Sequence, residues 1–126
     1  MKGSFKQIED IKQIQDLMKS VGWNPRTKKE WTNCLQNTSV VYSFWDKQKL
    51  VGFGRIVTDK KYAMIYDLVV HAQYQNKGIG KKIVSELIKK CPKGISIGLF
   101  IEDKDSLKNF YKSLGFQPIQ GMQLKK

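Results

Sequence analysis

The chain carries very little from which to build a metal or redox centre. Of its 126 residues two are cysteine, Cys34 and Cys91, and one is histidine, His71. The cysteines lie far apart without Cys-x-x-Cys spacing, and a lone histidine makes no cluster, so no metal is expected and the thiols are expected to be buried or half-buried. Long apolar runs are missing as well. Nothing approaches the roughly eighteen residues of a membrane span, and the opening "MKGSFKQIED" lacks the apolar core of a signal peptide. A cytoplasmic protein with no membrane partner is the expectation.

Acidic residues are scarce: 11 Asp and Glu stand against 23 Lys and Arg, a net charge of +12. This balance favours an anionic partner, whether nucleic acid, a membrane surface or a phosphate-rich small molecule, with a merely solvated surface as the alternative. The apolar 40% is spread in short periodic runs, the pattern of a globular chain. A chain of this length fills one compact core, so residues 1–126 are expected to form a single domain.

Apolar residues at Ile8, Ile11, Ile14, Leu17, Met18 and Val21 recur at helical spacing until Gly22, which predicts a helix over about 7–20. After Trp23-Asn24-Pro25, "TKKEWTNCLQN" reads as a second helix whose Thr27 and Glu30 have capping-box spacing. Next, "SVVYSFW" and "LVGFGRIVT" read as strands of a hairpin around Asp46-Lys47-Gln48-Lys49, and "YAMIYDLVV" as a third antiparallel strand. The pattern then changes to a glycine loop, a helix over about 79–90, a strand "ISIGLFI", a helix in "EDKDSLKNFYKSLG" ended by Gly115, and a weaker strand "FQPIQGMQL". This order predicts an α+β fold with one β-α-β crossover.

The crossover loop, residues 75–82, reads "QNKGIGKK". It has one residue between its glycines and no Ser or Thr after the lysine, so it is not a nucleoside-triphosphate loop. Where a dinucleotide fingerprint needs a third glycine there is Ile83. What remains is a strand, a short loop of free amides and a helix N-terminus, which hold an anion by partial charge alone.

These residues resemble the GCN5-related N-acetyltransferases. The family's signature, Gln/Arg-x-x-Gly-x-Gly/Ala, is matched by Gln75-Asn76-Lys77-Gly78-Ile79-Gly80, and "DLVVHAQY" before it is similar to the family's fourth strand and turn, with Ala72 where a proline is usual. Downstream, Phe110, Tyr111, Gly115 and Phe116 of "NFYKSLGF" match a second family element. The likeness covers residues 38 to 124 well, whereas the first strand is missing or reduced to a few residues around "GSFKQI".

The resemblance implies a mixed sheet flanked by four helices, its N-terminal strands antiparallel and a splayed parallel pair, "MIYDLVV" and "ISIGLFI", around acetyl-coenzyme A. The implied activity is acetyl transfer to a primary amine of a small molecule by direct attack in a ternary complex. Carried over by position, Leu68, Val69 and Val70 would run along the pantetheine arm, and the backbone of Gln75, Asn76, Lys77, Gly78, Ile79, Gly80 and Lys81 would wrap the pyrophosphate, with Lys77, Lys81 and Lys82 adding charge. Tyr111 matches the general acid that protonates the departing thiolate, with packing beside Phe110 as its structural alternative. The strand glutamate that serves as base in some members is Met64 here. Asp67 is the nearest carboxylate, with an ion pair to Arg55 as the alternative, and Glu102 is a further candidate. Lys104 and Leu107 replace a usual Asn and Ala, leaving Asn109 as a substitute cofactor contact. Trp23, Trp31, Phe44 and Arg55 are expected at the acceptor site, and family members often pair through their C-terminal strands, which makes a homodimer an expectation. The competing readings are a basic nucleic-acid-binding module and an acyl-coenzyme A binder without activity. The lysines are scattered through every element rather than gathered in one stripe, which argues against nucleic acid.

Overall fold

A computed structural model describes residues 1–126. The elements run β1 (Lys2–Ser4), α1 (Ile11–Ser20), α2 (Lys28–Gln36), β2 (Val40–Asp46), β3 (Lys49–Thr58), β4 (Tyr62–Val70), a 3₁₀ turn (Ala72–Tyr74), α3 (Ile79–Lys89), β5 (Ser96–Gly98) and α4 (Asp105–Ser113). The strands form one sheet in the order β1-β2-β3-β4-β5, antiparallel except for the final β4–β5 pair. This is the expected α+β arrangement, and the doubtful first strand is present as a three-residue edge.

Local sequence explains the helix ends. The Asp10 carboxylate accepts from the Lys12 N–H and starts α1. Thr27 and Glu30 form the anticipated reciprocal box at the start of α2. At the end of α4, Gly115 is left-handed with φ 96°, its N–H bonds Lys112 O, and the Phe116 N–H bonds Tyr111 O. That closure turns the Phe116 ring back onto the Tyr111 ring, with centroids 5.5 Å apart.

Each face of the sheet carries its own core. Ile14, Leu17 and Met18 of α1 and Trp31 and Leu35 of α2 pack with Val41, Leu50, Phe53 and Val69. On the other face, Ile79, Ile83, Val84 and Leu87 of α3 pack with Val51, Ile56, Ala63 and Ile65, each α3 side chain contributing about 1.5–3 kcal/mol. Gly52 and Gly54 let α3 lie close: a Cβ at Gly52 would come within 2.9 Å of Ile83 Cδ1.

The β3–β4 register slips between Phe53 and Arg55, so that Asp67 and Leu68 together oppose Gly54. This is a bulge with Asp67 left-handed at φ 57°. The extra residue reverses the facing of the strand. Ala63 and Ile65 point to α3 before it, whereas Leu68 and Val70 do so after it.

Two expected strands differ. Of "ISIGLFI" only Ser96–Gly98 is strand, because β5 pairs with β4 only from Tyr62 to Met64 and the two diverge beyond. The segment "FQPIQGMQL" forms no strand. Pro118 offers no N–H, no neighbouring strand receives it, and Ile119, Met122 and Leu124 are exposed. Cys34 and Cys91 are free and half-buried.

Candidate active site

The divergence of β4 from β5 leaves the last residues of β4, from Ile65 to Val70, without a β5 partner. His71 directs its N–H to Val51 O on β3, so by alternation Val70 faces the open side. The Val70 carbonyl accepts from the Gln75 carboxamide at 3.0 Å, which pins the glycine loop onto the end of the strand. Tyr74 ties the same turn to β2 through a 2.7 Å bond to Asp46, and its ring carries the Lys49 and Lys77 ammonium groups at 5.5 and 5.4 Å. His71 is a turn residue, its Nδ1 accepting from the Gln73 N–H.

The loop itself is built from two left-handed residues, Asn76 at φ 64° and Gly78 at φ 81°. Gly78 caps α3 with no side-chain bond, and the first helical bond is Lys82 N–H to Gly78 O. The amides of Ile79, Gly80 and Lys81 are thus free donors at the positive end of the helix. Gly80 answers whether a phosphate-bearing cofactor suits this loop. A Cβ there would lie 3.4 Å from Phe110 Cζ and 3.7 Å from Val70 Cγ2, ordinary contact that the fold tolerates. Packing therefore does not demand glycine at this position, and a side chain would take up the space where loop, β4 and α4 converge. Lys81 is exposed, while Lys82 is engaged with Glu86 at 3.1 Å.

Tyr111 is 8% exposed and packs edge-on to Phe110 with centroids 5.0 Å apart. Burial pushes its phenol up to about 12. The hydroxyl makes no hydrogen bond within the protein. Asn109, two residues earlier, is exposed on α4.

Asp67 follows the ion-pair alternative. Its carboxylate, 8% exposed, accepts from Arg26 Nη2 at 2.6 Å and Nη1 at 2.8 Å, and from Arg55 Nε at 2.8 Å. Burial alone would raise this carboxyl, but hydrogen bonds from Arg26 and then Arg55, with their charges, hold it below the usual carboxylate range. A carboxylate so engaged is a poor proton acceptor, and the alternative of an ion pair with Arg55 is what forms. Arg26 escaped the reading of the sequence. Its only sequence signal was its position between Pro25 and the Thr27 cap.

A cleft of about 510 Å³ opens beside the α1–α2 connection, lined by Trp23, Asn24, Pro25, Arg26, Trp31 and Glu102 among others. Trp23 is 40% exposed and Trp31 only 1%, with Arg26 stacked 4.4 Å above the Trp31 ring. Of the four expected acceptor residues, Trp23 and Trp31 line this cleft. Arg55 is joined to it through Asp67. Phe44 lies on the α3 face of the sheet and does not reach it, because its place in the alternation along β2 turns it away.

A family model described as "Acetyltransferase (GNAT) domain" matches residues 15–126. The chain belongs to the GNAT family. Its relatives include an uncharacterised N-acetyltransferase, ycf52, of Pyropia yezoensis, 35% identical over 85% of this chain and 64% of that protein. GCN5-related N-acetyltransferase 2, chloroplastic, of Arabidopsis thaliana is 29% identical over 86% of this chain and 50% of its own. The chain therefore spans from about half to under two thirds of the length of these curated relatives. Among solved structures, a GNAT acetyltransferase of Streptococcus pneumoniae superposes with a TM-score of 0.87 at 25% identity, covering 99% of this chain and 97% of that one. The mixed sheet with its four helices is the GNAT architecture.

Proposed function

We propose that this GNAT domain transfers an acetyl group from acetyl-coenzyme A to a primary amine of a small molecule by direct attack in a ternary complex. The observation that carries the reading is the convergence at Gly80 of the open end of β4, the free amides of α3 and the α4 side chain that precedes Tyr111. Acetyl-coenzyme A, when bound, supplies an acetyl thioester. The amides of residues 76–81 would hold its pyrophosphate, with Lys77 and Lys81 adding charge, while Leu68, Val69 and Val70 offer a strand edge to the pantetheine arm. One amide of that edge is a donor for the thioester carbonyl, where negative charge grows during attack. Asn109 is retained as a cofactor contact on α4.

In the reaction a C–N bond forms, the C–S bond breaks, and the leaving sulfur takes a proton. Tyr111 is the donor: its phenol stays protonated throughout the neutral range and its hydroxyl is uncommitted. With Asp67 held by two guanidinium groups, no base is assigned to the protein. The amine binds neutral or first loses its ammonium proton to water. The N–H proton shed as the amide forms also passes to water, and water returns a proton to Tyr111. The cleft suits a small acceptor, its volume lying within the range of about 300–1,000 Å³ usual for small-ligand sites. Trp23 and Trp31 supply apolar wall and Glu102 a carboxylate for an amine. A surface of charge +12 disfavours lysine-rich tails as acceptors. The cytoplasm remains the proposed compartment, although two relatives are named as chloroplastic. A screen of small amines for release of free coenzyme A thiol tests the reading. Turnover with at least one amine is the expected outcome, while binding of acetyl-coenzyme A without turnover would favour a silent acyl-coenzyme A binder. Tight, salt-sensitive binding of duplex DNA without cofactor binding would favour the nucleic-acid alternative.

A further inference from the structure

Asp67 occupies a conformation that side chains rarely adopt, at φ 57° in the bulge of β4. For a residue with a Cβ this backbone is strained, although Asp is among the residues that bear it best. Something must hold it there. The bulge also decides which way the next residue, Leu68, directs its amide, because the inserted residue reverses the alternation of the strand.

What grips Asp67 comes from two other parts of the fold. Arg55, opposite on β3, bonds it through Nε and also donates to Thr38 Oγ1 at 3.1 Å. Arg26 reaches it from the α1–α2 connection with a two-pronged contact of 2.6 and 2.8 Å. Arg26 is itself fixed twice over. Its carbonyl accepts from Gln15 of α1 at 2.9 Å, and its guanidinium lies 4.4 Å above the Trp31 ring. The same residue therefore forms part of the acceptor cleft wall and holds the strand bulge.

We infer that Arg26 and Asp67 are positioning residues: together they clasp the acceptor wall to the β4 bulge, so that the wall and the amide that meets the acyl carbonyl are set as one unit. This rests on the acetyltransferase reading, and it adds a connection between the two substrates that the reading does not contain. The clasp acts through Leu68, not by touching either substrate's reacting atoms. A fork of two parallel N–H bonds fixes direction as well as distance, which a lysine ammonium does not.

Coenzyme A lacks the thioester carbonyl that acetyl-coenzyme A presents, so the ratio of their affinities reads the setting of the bulge amide without any acceptor amine. Calorimetry with both ligands on wild type, R26Q, R26K and D67N makes the test. The expected result is a preference of wild type for acetyl-coenzyme A that falls about tenfold in all three variants, with coenzyme A affinity changed less than about twofold. Asparagine tolerates left-handed backbone, so D67N removes the charged grip and keeps the bulge accessible. A merely structural role predicts instead a lower Tm, equal loss for both ligands, and rescue by R26K. Such a result, or a ratio in R26Q equal to that of wild type, or no preference in wild type, overturns the clasp alone. Failure of wild type to bind either ligand overturns both the clasp and the acetyltransferase reading.

Discussion

Tyr111 serves as core and as candidate chemistry at once, and the two roles separate on substitution. Tyr111→Phe keeps the ring between Phe110 and Phe116 and removes only the hydroxyl. The expected outcome is a kcat lower by about 10²-fold, with acetyl-coenzyme A affinity unchanged by calorimetry. Alkaline stability gives a second readout. The folded phenol is raised to about 12 against about 10 in the unfolded chain, so the folded state binds this proton more tightly. Its contribution is fully present below about pH 10 and is lost as pH rises through about 12, a fall of about 2–3 kcal/mol. Denaturant unfolding across that window should show this extra loss in wild type and not in Tyr111→Phe. Asp67 works in the opposite direction: its lowered carboxyl contributes stability above the unfolded value, and that stability is lost as pH falls through the folded value. D67N should therefore flatten the acid limb of the stability curve. At this scale the sequence was legible where chemistry and spacing coincide, as at Tyr111 with Gly115-Phe116 behind it. The partner of Asp67 was only half legible. Arg55 follows from cross-strand pairing, whereas Arg26 lies 41 positions away and meets Asp67 only once α2 has docked.

Among the elements, the loop before α3 depends on that helix being fixed to the sheet. Ile83 is fully buried against Gly52 and Gly54, so Ile83→Ala should cost about 2–5 kcal/mol in chemical denaturation. Gly78→Ala acts on the loop directly. Nothing lies within 4 Å of the added Cβ, but its φ of 81° should make the substitution cost about 1–2 kcal/mol and weaken acetyl-coenzyme A binding. The helices were readable because their caps are written locally, in Thr27 with Glu30 and in Gly115. Strand lengths were not. The run "ISIGLFI" has strand composition throughout, yet its pairing stops at Gly98, opposite Met64, and where two strands part is set by tertiary geometry that composition does not carry. Phe44 falls outside the cleft for a related reason: which face a strand residue takes depends on register, which composition does not carry.

Over the whole molecule, two cores on opposite faces of one sheet divide the work. The α1–α2 face holds the cleft proposed for the acceptor, the α3–α4 face holds the loop proposed for the cofactor together with Tyr111, and β4 joins them. With a net charge of +12 and a tetra-anionic ligand, acetyl-coenzyme A affinity should weaken steadily as salt rises from about 50 to about 200 mM. The central claim is that "QNKGIGKK" cradles the coenzyme A pyrophosphate, and Gly80→Ala separates that from stability. Alanine in the first turn of α3 meets only ordinary contacts and is the better helix former, so Tm should hold or rise. Calorimetric titration of acetyl-coenzyme A into wild type and Gly80→Ala is the direct measurement. The account predicts one site in wild type and at least about tenfold weaker binding in the variant; no binding by wild type, or equal binding by both, would contradict it.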